Sequence, residues 1–379
     1  MIRTDCPFQT FMFEPKQGWS CPFPALDSPQ TLVVAFGASS LIDDPAPMTE
    51  LRRAFPSSHL IGCSTSGQFV GDRLFDGGIA VSLFRFRRTR LATAYAPIRS
   101  AEDSFRAGDT LARQLAGPDL RAVFVLSDGL NINGSELIRG LSASLPQSVV
   151  ITGGLAGDGD RFKRTWVLRN GCPESGFVTA VGFHGRHIRI GHGSQGGWDV
   201  FGPERIVTRA KGNVLYELDN EPALPLYKRY LGELASGLPS TALLFPLAVR
   251  PARQSDHPIV RTVLGVNEQD GSMTFAGDIT EGHLAQLMRA NFDRLISASA
   301  ESAKTASEAS PCLAIAVSCV GRRLILGERT EEELNAVLES LPAGSQVAGY
   351  YSYGEISPSG IGDCGLHNQT MTLTTFSET

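Results

Sequence analysis

Residues 349–358 run Gly349-Tyr350-Tyr351-Ser352-Tyr353-Gly354-Glu355-Ile356-Ser357-Pro358. Three of the chain's 7 tyrosines fall within four consecutive positions, and two glycines and a proline punctuate them. An apolar, strand-like run precedes this stretch and another follows it. Such a turn brings phenol hydroxyls, backbone N–H groups and a carboxylate to one mouth. In extended backbone Tyr351 and Tyr353 share one face, beside Gly354, and Glu355 is placed to hold an amine or another cation. The alternative is a tight turn whose tyrosines pack on their neighbours.

Outward from this stretch, one order of elements occurs three times. Thr31–Gly37 is an apolar strand. Met48, Leu51 and Phe55 lie at helical spacing, and Pro56 stops that helix. His59–Ile61 is a short strand ending in the turn Gly62-Cys63-Ser64-Thr65-Ser66-Gly67, and Gly77–Phe84 is a further strand. In the second copy Ala122–Leu126 is a strand, and Ser135 caps a helix carrying Leu137, Ile138, Leu141 and Leu145. Pro146 ends it, Val149–Thr152 leads into the turn Gly153-Gly154-Leu155-Ala156-Gly157-Asp158-Gly159, and Phe177–Phe183 follows. In the third, Cys312–Val317 is a strand, Thr330 and Glu333 form a capping box, and Leu334, Val337, Leu338 and Leu341 mark the helix. Pro342 ends that helix, the opening stretch is the turn, and Met371–Phe376 is the last strand.

The expected fold is therefore α/β, with repeated strand–helix–strand–turn–strand units in layered sheets and two domains. A strand–helix–strand crossover puts each glycine turn at the carboxyl end of its second strand, where open α/β sheets bind ligands. The first 30 residues, with prolines at 7, 15, 22, 24 and 29, read as an extended arm or strand on the body. The domains are set at 31–220 and 221–379. Between the second and third copies, His184–Trp198 is a strand entering a glycine-rich loop. Leu284, Met288, Phe292, Leu295 and Ile296 mark a helix running towards the small, polar segment Ser297–Ser310.

Composition narrows the function. At 42% hydrophobic and 19% charged residues the chain can bury a sizeable core. A net charge of -5 without a concentrated Lys/Arg run argues against a nucleic-acid surface. No run approaches the ~18 apolar residues of a membrane helix, and no signal peptide is visible. The seven cysteines include no Cys-x-x-Cys and are odd in number, which fits a reducing cytoplasm better than a disulfide framework.

The chemistry offered is that of binding more than of catalysis. Cys63 is a nucleophile only if its pKa is lowered. No partner base is marked, so a small buried thiol fits better, with Ser64 and Thr65 supplying hydroxyl contacts to a ligand. The turn at Gly153 and Gly154 lacks the phosphate-loop patterns. Asp158 there repels phosphate and suits an amine-bearing ligand, or the turn is structural. His184, His192 and His283 are the candidates for an axial haem ligand, each weighed against a surface or hydrogen-bonded role. His184 and His192 stand about 26 Å apart along one strand and cannot share a metal. G-x-S-x-G, H-E-x-x-H and zinc spacings are absent.

Ile61–Gly67, Gly153–Asp158, Val207-Thr208, Tyr216-Glu217-Leu218-Asp219 and Gly349–Pro358, in that order, resemble the FIST sensory family, a paired FIST N and FIST C arrangement. The resemblance covers about residues 30–365. It implies a ligand-sensing module for small molecules such as amino acids, signalling to a separate partner such as a histidine kinase or a cyclic-dinucleotide enzyme. Standalone proteins of this architecture also resemble the nitric-oxide-sensing haem proteins of bacteria, which would add haem as a cofactor. The competing expectation is an enzyme using Cys63 or the Tyr353/Glu355 cluster.

Overall fold

The structure is a computed structural model that describes residues 6–238, 240–251, 258–360 and 363–379. Its three repeated units share one nucleus. In each, two parallel strands are joined through a helix, and a third strand runs antiparallel beside the first. The strands are Thr31–Gly37, His59–Ser64 and Ile79–Arg85 in the first unit. They are Leu120–Ser127, Val150–Leu155 and Phe177–His184 in the second, and Leu313–Cys319, Gln346–Ser352 and Met371–Glu378 in the third. Thr31–Gly37 and Leu313–Cys319 are buried at every residue, which is why they read as continuous apolar runs and not as alternation. A fourth strand adds to each far edge: Phe8–Glu14, Arg90–Pro97 and Ile188–Gln195 respectively.

The hairpin that leaves each glycine turn pairs with a neighbouring sheet instead of its own. Gln68–Val70 with Arg73–Phe75 extends the third unit's sheet. Val167–Arg169 with Cys172–Glu174 extends the first. Gly354–Gly360 with Asp363–His367 extends the second. The exchange is cyclic, so three sheets lock around a pseudo-threefold axis and each covers an otherwise open edge.

Three glycines mark the repeat in register. Gly62, Gly153 and Gly349 lie opposite Ala35, Val125 and Ala316 on the parallel partner strands. A β-carbon would sit 2.1, 1.8 and 2.1 Å from those residues' carbonyl oxygens. Only a hydrogen fits at any of the three. The next residues are Cys63, Gly154 and Tyr350. The Tyr350 hydroxyl lies 2.7 Å from where a Gly154 β-carbon would be, and its ring stacks on Phe36 with centroids 4.6 Å apart. One large side chain fills the centre because its two counterparts are small.

A fourth sheet is inserted between Ile188–Gln195 and the helix Phe292–Ala306 of the third unit. Its main strands are Asp199–Lys211, Val214–Leu218, Leu247–Pro251 and His283–Arg289. It has its own core of Val207, Leu215, Leu224, Tyr227, Met273 and Phe275. Position 220/221 falls at the turn between Val214–Leu218 and Glu221–Pro222, which pair within this sheet.

Four local expectations are corrected. Leu284 and Met288 belong to the strand His283–Arg289, and the helix begins at Phe292, capped by Asn291, whose side chain accepts from Arg294 N–H at 3.2 Å. Most of the small, polar segment expected after it is the body of that helix. Its small residues let it lie directly on Ile188–Gln195, where β-carbons on Gly191 and Gly193 would be 1.8 and 2.1 Å from the carbonyl oxygens of Ala306 and Ser302. The capping box does not form, because Glu333 is drawn inward to Arg322, both fully buried, and the Thr330 hydroxyl donates to the Gly327 carbonyl at 2.6 Å. Asn133 caps the helix Gly134–Ser144 in place of Ser135, accepting from Glu136 N–H at 3.2 Å.

Candidate functional site

Because the hairpins are exchanged, the three glycine turns cross at one end of the axis. Ser66 N–H donates to the Tyr351 carbonyl at 2.8 Å, Tyr351 N–H to the Gly67 carbonyl at 2.8 Å, and Gly157 N–H to the Ser64 carbonyl at 2.9 Å. Gly354 pairs with Leu155. The turns thus lie at the same edge and hydrogen-bond to one another.

Beside this crossing opens a cleft of about 880 Å³. The first unit contributes Ser39, Thr65, Ser66, Gln68 and Asp76, the second Gly159, Asp160, Arg161 and Arg164, and the third Val320, Arg323, Leu324 and Thr330. Arg323 bridges two units: its guanidinium donates to Asp76 at 2.6 and 2.8 Å and to the Ser66 carbonyl at 2.6 Å. It lies so close over Gly67 (φ +114°) that a β-carbon there would be 2.1 Å from Nη1. The Arg323 hydrogen bond holds the Asp76 carboxyl below the usual carboxylate range.

Asp158 organises the opposite wall. Its Oδ1 accepts from the Ser39 hydroxyl at 2.5 Å and from Arg161 at 2.5 and 3.0 Å, and its Oδ2 accepts from Arg164 N–H at 3.1 Å. Burial works against its charge, but these hydrogen bonds outweigh it and lower its pKa. The side chain of Asp158 is 3% exposed and that of Arg161 55%, so the carboxylate is sealed while the guanidinium stays reachable from solvent. Arg164 is held by Asp43 at 2.5 and 2.7 Å.

The residues expected as ligand contacts divide. Thr65 lines the cleft and donates to Gln68 Oε1 at 2.6 Å. Asp158 sits beneath Arg161. Ser64 is buried, its hydroxyl accepting from Trp166 N–H at 3.1 Å. Cys63 is fully buried against Tyr350, and burial pushes its thiol far up, which removes the thiolate a nucleophile needs. Gly153 and Gly154 lie inside the sheet crossing. Tyr351 turns into the third unit, donating to Glu333 Oε2 at 2.9 Å. Tyr353 donates to the Gly159 carbonyl at 3.1 Å, accepts from Phe162 N–H at 3.2 Å, and stacks on Phe162 with centroids 4.3 Å apart. Gly354 begins the exchanged hairpin. Glu355 is fully buried, accepting from the Ser352 hydroxyl at 2.6 Å and the Thr370 hydroxyl at 3.0 Å. Burial pushes its carboxyl up to about 8 against those hydrogen bonds.

The histidines do not fit an axial ligand facing this cleft. His184 is buried in the second sheet with Nδ1 3.2 Å from Asp119, His192 is half-buried on the third sheet, and His283 is half-buried on the fourth. No histidine is among the described residues that line the cleft. Arg161, Arg323 and Asp76 were not singled out from sequence. The signal was an arginine three residues after Asp158 and another just beyond the strand Leu313–Cys319, unremarkable among 34 basic residues. Among the described residues no helix is long and apolar enough to cross a membrane.

An uncharacterized protein of Methanocaldococcus jannaschii is 25% identical over 80% of this chain, which spans 65% of that relative's length. An uncharacterized protein of Mycobacterium tuberculosis is 24% identical over 91% of each. A crystal structure of cyanuric acid hydrolase from A. caulinodans aligns over 92% of this chain and 89% of its own at a TM-score of 0.32 and 9% identity, and at that score the two folds need not be the same. With the FIST N domain matched over residues 31–221 and the FIST C domain over residues 223–358, this chain belongs to the FIST family of sensory signal-transduction domains.

Proposed function

We propose that the chain is a sensor that binds a small zwitterion of the amino-acid class in the cleft. It then signals to a separate partner, such as a histidine kinase or a cyclic-dinucleotide enzyme. One observation carries this: charged groups of both signs from all three units, Arg161, Asp76 and Arg323, face one cleft. Arg161 uses Nε and Nη2 on Asp158, and Nη1 is the group offered to a ligand carboxylate. Asp160 and Asp76 suit an ammonium. A ligand held by both signs ties units together, and differential contact of this kind is what shifts a conformational equilibrium.

The test is a thermal-shift screen with the twenty common amino acids, followed by calorimetry. A ligand present at 100 times its Kd stabilises by about 2.7 kcal/mol, expected here as a rise on the order of 3 °C. Arg161→Ala, a change at a half-exposed side chain, is expected to abolish the shift. A panel with no shift, or a shift retained by that variant, would count against the proposal.

A further inference from the structure

Two adjacent arginines on the short helix Val320–Leu326 face opposite ways. Arg323 holds the cleft, gripping Asp76 and the Ser66 carbonyl. Arg322 is fully buried and reaches both places where the chain enters and leaves the fourth sheet. It donates to the Gly196 carbonyl at 2.5 Å, three residues before Asp199–Lys211 begins, and to the Leu295 carbonyl at 2.8 Å, shortly after His283–Arg289 ends. Its charge is met by Glu333, which is held in turn by Ser299 at 3.0 Å and Tyr351 at 2.9 Å. From the same helix, Leu326 packs in a cluster with Trp198, Ala248, Val260 and Met288, joining the third unit to the fourth sheet. The helix ends at Gly327 (φ +54°), where a β-carbon would meet nothing within 4 Å.

We infer that Val320–Leu326 is a rigid relay that couples occupancy of the cleft to the seating of the inserted fourth sheet. This rests on the cleft being the ligand site. A ligand that competes for Arg323 alters the Arg323–Asp76 bridge, and the displacement passes directly to Arg322 because the two arginines are consecutive residues of one hydrogen-bonded helix. Arg322 then carries the displacement to Gly196 and Leu295, the two roots of the fourth sheet. Arg322 and Glu333 are positioning residues here, acting on the cleft through Arg323.

The test needs no ligand. Asp76→Asn and Asp43→Asn each weaken one exposed bridge at the cleft, and only the first bridge ends on the relay helix. The full chain is labelled with 5-fluorotryptophan, giving three fluorine resonances, with Trp198 assigned by Trp198→Phe. Asp76→Asn is expected to move the Trp198 resonance and to quicken amide exchange across residues 320–327 about fivefold, while Asp43→Asn does neither. A Trp198 resonance that stays put in Asp76→Asn, or that moves equally in both variants, would overturn the relay. Failure of the amino-acid screen alongside a Trp198 response would sink the ligand assignment and leave the mechanical coupling standing.

Discussion

Glu355→Gln is the substitution whose effect should change most with pH. The native carboxyl is sealed, with hydrogen bonds among the described residues from the Ser352 and Thr370 hydroxyls and the Thr370 N–H, and burial raises its pKa from 4.5 to about 8. Between those values the folded chain keeps a proton that the unfolded chain has released. Stability therefore falls as pH rises, by about 1.4 kcal/mol per pH unit while both conditions hold. The contribution is fully present below the unfolded value and is lost by the folded one. Summed over the window it is on the order of 3 kcal/mol after allowance for water entry and relaxation. Glutamine is uncharged throughout; its carbonyl oxygen keeps the Thr370 contacts, and its amide donates to the Ser352 hydroxyl in place of accepting from it. The variant should match the native chain at pH 5 and exceed its stability at pH 8.5. Urea midpoints for both proteins across pH 5 to 8.5 measure the difference directly. A difference that does not grow with pH would show that the Glu355 carboxyl ionises freely where it sits, and the burial argument would be wrong.

Other outcomes follow from single contacts. Glu333→Ala strands the Arg322 guanidinium in a dry interior and should destabilise by about 3–5 kcal/mol, whereas Glu333→Gln, which keeps an acceptor for Tyr351, should lose less; denaturant titration ranks them. Gly153→Ala places a β-carbon against the Val125 carbonyl at φ +143° and should cost about 3 kcal/mol or more. Gly71→Ala, at φ +62° with open space around it, should cost about 1 kcal/mol, so similar losses from the two would undo the close-approach account. Tyr353→Phe removes the hydroxyl that bonds Gly159 and Phe162, with an expected loss of about 1–2 kcal/mol and faster amide exchange confined to residues 159–164.

The three units were legible because each strand nucleus is a continuous apolar run and each crossover helix stops at a proline. The hairpin exchange was not. Gln68–Val70 has no sequence feature that favours Gln346–Ser352 over its own sheet, since strand partners across some 280 residues are chosen by which edge is free in space. The helix Phe292–Ala306 was obscured by serines, which score poorly as core but are what a helix seated on Gly191 and Gly193 requires. Glu333 was misjudged because the capping motif is a local pattern, while its actual partner, Arg322, lies on the preceding helix and completes a buried ion pair. The convergence of turns was readable, but the cleft's charged walls were not. Arg161 and Arg323 meet only because two different units bring them there.

The opening tyrosines show how the three units come to contribute unequally to this cleft. Tyr350 fills the axis, which Cys63 and Gly154 leave open. Tyr351 leaves the axis for the buried Glu333 network. Tyr353 decides the asymmetry. The strand registers make Ser39, Gly129 and Val320 equivalent, each two residues beyond the strand position paired with Ser64, Leu155 or Tyr351. Ser39 and Val320 border the cleft, whereas the Tyr353 ring lies over Gly129, 3.0 Å from where a β-carbon would be, and is itself roofed by Phe162. A β-carbon at 129 would clash with the Ala156 carbonyl oxygen, 1.9 Å away, and press against that ring. The second unit thus gives up its share of the opening to hold the segment Gly159–Arg164, and that segment carries Arg161 and Arg164 to the cleft shared by the first and third units.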